Sequence, residues 1–191
     1  YKDDPFAKSF NLSIADNLVQ LTGRILPAPS IEYQDKKTVN IRSDDPGKWN
    51  QRGVRYVSGG DINNWAILDL VGLRGDEMSS VIQSFGKTGR EVGLQIQCQE
   101  RKSVFSYNCR ENQAGMTFEN IVQEFKKLGT KLDLVLVILP FKGSKVYNEI
   151  KNLGDLKYKI PTQCCLKKVL FGKDGRPNGQ VNHHRCHLLI F

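Results

Sequence analysis

Apolar positions change their spacing along this chain of 191 residues, and the changes divide it. In the first 55 residues the spacing is irregular. Asp3, Asp4 and Pro5 form an N-cap and N1 pattern that predicts a short helix ending near Phe10. Val19, Leu21 and Ile25 alternate until Leu26-Pro27-Ala28-Pro29. Two prolines bar a central strand, so this piece is expected to be extended and edge-like. Residues 38–42 and 54–57 predict a small hairpin around Asp44-Asp45-Pro46-Gly47, a good turn cluster. Residues 1–55 therefore read as a linker arm with a small β element.

From Gly59-Gly60 onward the pattern becomes strand, helix, strand, helix. Residues 65–71 predict the first strand. Asp76 is the expected cap of a helix with Met78, Val81, Ile82 and Phe85 on one face. Residues 94–97 predict a second strand, and residues 98–114 are polar and expected to be irregular. Thr117 is the expected cap of a helix carrying Phe118, Ile121, Val122, Phe125 and Leu128. Residues 132–139 are apolar apart from Asp133, as in a strand buried on both faces. Pro140 ends it, a short loop follows, and Ser144 caps a helix with Val146, Ile150 and Leu153 on one side and Gly154 as its stop. The next strand starts at Thr162 and is expected to run on through Lys168. Such alternation predicts an α/β fold: a Rossmann-like, open, mostly parallel sheet flanked by helices over residues 56–191, preceded by the arm.

Candidate chemistry lies on the last helix and strand. Tyr147 and Lys151 are four apart and project from one face. Period-two alternation in the next strand would put Gln163 and Lys167 on one side. An aromatic plate and cations gathered at a helix start, outside the carboxyl end of a parallel strand, suit a phosphate that carries an aromatic base. A solvated surface helix with a rim tyrosine is the plainer reading of the same residues.

Composition narrows the partners. The formal charge is +8 and 39% of residues are hydrophobic, which favours polyanionic partners. No run approaches twenty apolar residues and no signal-peptide pattern is present, so neither a membrane span nor membrane binding is expected, and the location expected is cytoplasmic. Five cysteines at 98, 109, 164, 165 and 186 are odd in number, which suits reduced thiols better than a disulfide framework. Gly86-Lys87-Thr88 imitates the tail of a P-loop, but Val81 stands where that motif needs glycine. His183, His184, Cys186 and His187 have no Cys-x2-Cys pair to accompany them, and the vicinal Cys164-Cys165 is poor chelating geometry. No cofactor and no metal are expected.

Several motifs together carry a resemblance. Residues 4–16 (DPFAKSFNLSIAD), 23–33 (GRILPAPSIEY), 47–50 (GKWN) and 63–67 (NNWAI), followed by VILP, VYNEIK and TQCCL, resemble eukaryotic Argonaute proteins in the family's order, from about residue 3 to about 171. The resemblance implies an inter-lobe linker over residues 1–55 and a MID domain, which holds a guide's 5′ nucleotide, over residues 56–191.

It further implies a binding function in RNA-mediated gene silencing. Tyr147 would stack on the first base of a small guide RNA, an siRNA or a miRNA. Lys151 and Gln163, with Tyr147 beside them, would hold its 5′ monophosphate. Phe141, Lys142, Gly143, Ser144 and Lys145 would form the loop that inspects the base edge. Cys164, Lys167, Arg185 and His187 are further candidates around the phosphate. The other implied partner is the rest of an Argonaute chain, including a PIWI domain where the family's acidic nuclease residues lie, so no enzymatic activity is expected of these 191 residues. Two positions depart from the family: Val169 stands where a polar residue is frequent, and the apolar run over residues 186–191 carries no lysine. Two other classes of function remain open on the residues alone, an α/β enzyme acting on a small phosphorylated metabolite and a protein-interaction module with a vestigial pocket.

Overall fold

The computed structural model describes residues 4–41, 49 and 53–171. The expected turn at residues 44–47 and the stretch 172–191, with Arg185 and His187, lie outside them.

The arm begins with helix α1 (Pro5–Ser9), capped by the Asp4 carboxylate, which accepts from the Phe6 N–H at 2.8 Å. This is the expected short helix. Residues 12–29, expected to be extended and edge-like, form no regular element, and Leu18, Val19, Leu21 and Ile25 are exposed. Strands β1 (Ser30–Glu32) and β2 (Thr38–Asn40) pair antiparallel around Ile31 and Val39. The hairpin is thus one element earlier than expected: residues 38–40 pair backward with β1, and residues 54–57 form no strand. Tyr33 is buried beside the hairpin, where its hydroxyl accepts from the Trp49 ring N–H at 2.8 Å. The Gln34 N–H donates to the Arg55 carbonyl at the end of the arm, and the next residue, Tyr56, donates its N–H to the Val92 carbonyl.

Next come β3 (Asp61–Ile62), β4 (Trp65–Asp69), helix α2 (Gly75–Val92), β5 (Gln95–Ile96) and β6 (Val104–Asn108). Helix α3 (Ala114–Lys127), β7 (Leu134–Leu139), helix α4 (Lys145–Lys151), β8 (Thr162–Leu166) and a helical turn α5 (Lys167–Leu170) complete the described fold. The main sheet is all parallel, in the order β6-β4-β7-β8. In β7 alternate residues serve opposite faces: Leu134, Leu136 and Ile138 join the core under α2, while Val135, Val137 and Leu139 join the core under α3 and α4. That is why its sequence is a continuous apolar run. Trp65 and Ile67 of β4 meet Val81, Ile82 and Phe85 on the α2 face, and the Trp65 ring N–H donates to the Gln97 carbonyl at 2.7 Å. Phe118, Ile121, Val122 and Phe125 cover the other face. The Rossmann-like α/β expectation is met.

Local expectations fail where a short pattern has two uses. Helix α2 starts before Asp76, and Glu77 reaches back to accept from the Arg74 N–H at 3.0 Å. Residues 95–96 pair with β3 and stay outside the main sheet. The polar stretch 98–114 contains β6, the sheet's outer strand, and a 3₁₀ turn at Glu111–Gln113 that leads into α3, so Thr117 is inside the helix rather than its cap.

Gly154 does not stop its helix. The chain continues in a π-helical stretch, Asn152–Tyr158, and ends at Lys159 in the left-handed region. Gly154 is buried there, and a Cβ at that position would collide with the Thr162 methyl and meet the Ile160 carbonyl at 3.0 Å. Close approach, not backbone freedom, requires glycine. Gly154→Ala should therefore destabilise the fold by about 1–3 kcal/mol, the usual range for overpacking, read as a lower urea midpoint at unchanged slope.

Candidate functional site

The site is built on α4 and β8. Ser144 caps α4, its hydroxyl accepting from the Val146 N–H at 3.3 Å, and Val146 and Ile150 bury the inner face. That fixes the helix roll and turns Tyr147 outward, with 44% of its surface exposed. Lys151, one turn later, is half-buried, and its ammonium donates to the Thr162 carbonyl at 2.8 Å. An ammonium has three donors, so two remain for a ligand.

This placement shifts the expected gathering point. Lys151 ends α4 and sits beside the start of β8, roughly 10 Å along the helix from the capping turn at 1.5 Å per residue. The residues lie as a strip along the α4–β8 edge and do not converge on the helix start. β8 is the last strand of the sheet among the described residues.

The two faces of β8 divide the remaining candidates. Cys164 lies on the α4 side with the Lys151 and Asp155 charges near it, and burial pushes its thiol up to about 11 although the Lys151 charge opposes the shift. The thiol is protonated at neutral pH, so it supplies no thiolate nucleophile. Gln163 points to the other side, that of Cys165 in the core under α2, and its amide donates to the Cys164 carbonyl at 3.0 Å. Among the described residues no further strand pairs with β8, so Gln163 and Lys151 can share a ligand around that edge.

Lys167 is not on Gln163's side. The strand ends at Leu166, and Lys167 starts α5, its ammonium 3.2 Å from the Glu77 carboxylate and over the Phe171 ring. The Arg74 N–H, with Lys167 as a smaller contributor, holds Glu77 below the usual carboxylate range. The period-two expectation fails because the chain turns helical one residue too early. Other lysines are similarly engaged: Lys157 pairs with Glu119 and lies over the Tyr158 ring, and Lys131 meets Asp133 at 3.2 Å.

The loop between β7 and α4 holds Phe141, Lys142, Gly143, Ser144 and Lys145. Phe141 is 55% exposed, Lys142 and Lys145 are on the surface side of the loop's two ends, and Gly143 takes φ +85°, a conformation that favours glycine. Ser144 is buried and donates to the Glu111 carboxylate at 2.8 Å. Sequence reasoning missed Glu111, because nothing in a polar stretch signals a partner 33 residues away. No helix among the described residues is long and apolar enough to cross a membrane, and no group of three or more metal-ligating side chains occurs among them.

Residues 1–33 match the family model described as the Argonaute linker 2 domain. The chain is 26% identical over 179 residues to Protein argonaute 17 and 28% identical over 180 residues to Protein argonaute PNH1, both from Oryza sativa subsp. japonica. Those matches cover 88% and 90% of this chain but 20% and 18% of the relatives, so the chain spans about a fifth of their length. Among solved structures, the Arabidopsis thaliana AGO5 MID domain matches with a TM-score of 0.48 and 22% identity over 59% of this chain and 77% of that one. The N. crassa QDE-2 AGO MID domain matches with a TM-score of 0.37 and 20% identity over 62% and 87%.

Proposed function

We propose that this chain, similar to Argonaute proteins over 88–90% of its length, anchors the 5′-terminal nucleotide of a small guide RNA along the α4–β8 edge. In this reading residues 56–191 act as a MID domain and residues 1–55 as the linker before it. The role is binding rather than catalysis. The remainder of an Argonaute chain, including a PIWI domain, is the protein partner, and the setting is cytoplasmic gene silencing.

The observation that carries the reading is the pairing of Tyr147, exposed at the first turn of α4, with the Lys151 ammonium held at the start of β8 one turn later. A base stacked on Tyr147 gains about 1–3 kcal/mol from an aromatic plate that tolerates any base. The phosphate then falls toward Lys151, where a charge-assisted bond fixes it. Gln163 joins from the far side of the β8 edge by releasing the Cys164 carbonyl. Backbone groups of the loop 141–145, whose residues other than Ser144 are exposed, meet the base edge. The net charge of +8 favours the rest of the RNA.

The experiment is a titration of two RNAs identical except for a 5′ monophosphate or a 5′ hydroxyl, at one salt concentration. The phosphorylated RNA is expected to bind at least roughly tenfold more tightly, about 1.4 kcal/mol. Equal affinities would overturn the assignment of the phosphate to this site.

A further inference from the structure

We infer that Glu111 is a positioning residue for the base-reading loop, acting through Ser144. The inference rests on the proposed role of that loop in meeting the base edge. Glu111 opens the 3₁₀ turn after β6 and is half-buried. Its carboxylate accepts from the Ser144 hydroxyl at 2.8 Å, and the same hydroxyl accepts from the Val146 N–H at 3.3 Å. Ser144 is 4% exposed, so both functions of its hydroxyl are committed inside the protein. The bond joins two connections that both leave carboxyl ends of sheet strands, β6 to α3 and β7 to α4.

A second close approach brings the following helix, α3, against α4. Gly115, in the first turn of α3, has no side chain where the Glu149 carboxylate of α4 lies. Glu111 in the 3₁₀ turn and Gly115 four residues on in α3 therefore both lie against the Ser144–Glu149 stretch. The other end of the loop is fixed by β7, which is buried throughout. Between these anchors Phe141, Lys142 and Gly143 are exposed, and the left-handed Gly143 is the last residue before Ser144. Where the loop's backbone groups stand is therefore set at Ser144, and Ser144 is set by Glu111. Lys151 is anchored separately, on Thr162. Base discrimination and phosphate binding should respond to different residues.

The test compares wild-type protein with Glu111→Ala and Glu111→Gln, using the four nucleoside 5′-monophosphates and the matching nucleosides. Glutamine keeps an acceptor for Ser144 and alanine does not. Wild type is expected to prefer some bases. Glu111→Ala should shrink the ratio of best to worst base by roughly three- to tenfold, the worth of one hydrogen bond, with the gain from the phosphate unchanged. Glu111→Gln should restore most of the ratio. Amide exchange of residues 142–147 should quicken in Glu111→Ala and return toward wild type in Glu111→Gln. An unchanged ratio in Glu111→Ala overturns the assignment. So does an equal loss for all four bases, which marks a merely structural role, or an absence of base preference in wild type. If wild type gains nothing from the phosphate, the reading of the whole site falls and this assignment with it. A phosphate gain without a Glu111 effect removes this assignment alone.

Discussion

Asp69→Ala is expected to cost the fold about 3–5 kcal/mol, a large share of the 5–15 kcal/mol that holds a domain of this size together. Asp69 ends β4 and is 1% exposed. One carboxylate oxygen accepts from the Val71 N–H at 2.9 Å, and the other accepts from the Leu73 N–H at 2.7 Å and the Asn108 amide at 3.2 Å. The first two bonds fold the chain out of the strand toward α2. The third ties β4 to the end of β6. Alanine leaves three donors without this acceptor, and bonds to a charged group are worth about 1.5–3 kcal/mol each. Asp69 also lines a cleft of about 480 Å³ with Tyr107, Asn108 and Glu124, so water can enter and recover part of the sum. Asp69→Asn should fall between wild type and alanine, because its amide turns a donor toward one of the two backbone N–H groups. Equilibrium unfolding in guanidinium measures both. An alanine variant within about 1 kcal/mol of wild type would show that water replaces the carboxylate almost fully.

The elements legible in the sequence are those whose burial is one-dimensional. β7 is apolar at every position because helices cover both its faces, and α2 and α3 show their stripes because each buries one side. β6 is hidden by its place in the sheet. As the outer strand it buries Val104, half-buries Phe105 and Tyr107 and exposes Ser106 and Asn108 more fully, so its alternation is diluted in a polar stretch. Residues 95–96 read as a strand without revealing their partner, since two residues do not specify which edge they join. Gly154 reads as a stop because left-handed freedom is the commoner use of glycine after an apolar stripe, while packing against Thr162 is visible only in three dimensions. The same division runs through the candidate site. Tyr147 and Lys151 share one helix, so spacing alone aligns them. Gln163 and Lys167 depend on where β8 ends and which side each residue faces. Gln163 keeps the alternation and shares the side of Cys165, while the helical turn at Lys167 takes that lysine out of it. Glu111 depends on a contact across 33 residues, beyond any local pattern.

The largest functional effect is expected at Lys151. Lys151→Met keeps most of the aliphatic stem against α4 and β8 and removes the charge. If the ammonium grips the 5′ phosphate, the variant loses a charge-assisted contact worth about 1.5–3 kcal/mol, roughly 10- to 100-fold in affinity for the phosphorylated RNA. For the 5′-hydroxyl RNA the same substitution should cost far less, since only the general attraction for the chain is reduced. The two proteins and two RNAs form a double-substitution cycle, and its interaction energy isolates the lysine–phosphate contact from everything Lys151 does for the fold. That separation is needed because the ammonium also donates to the Thr162 carbonyl and so helps hold α4 against β8. The salt dependence gives an independent reading. The slope of log affinity against log salt should become shallower by about 0.7 for the phosphorylated RNA, the share of one neutralised phosphate on a single strand. Equal losses for both RNAs would assign Lys151 to the α4–β8 junction and leave the phosphate to other cations.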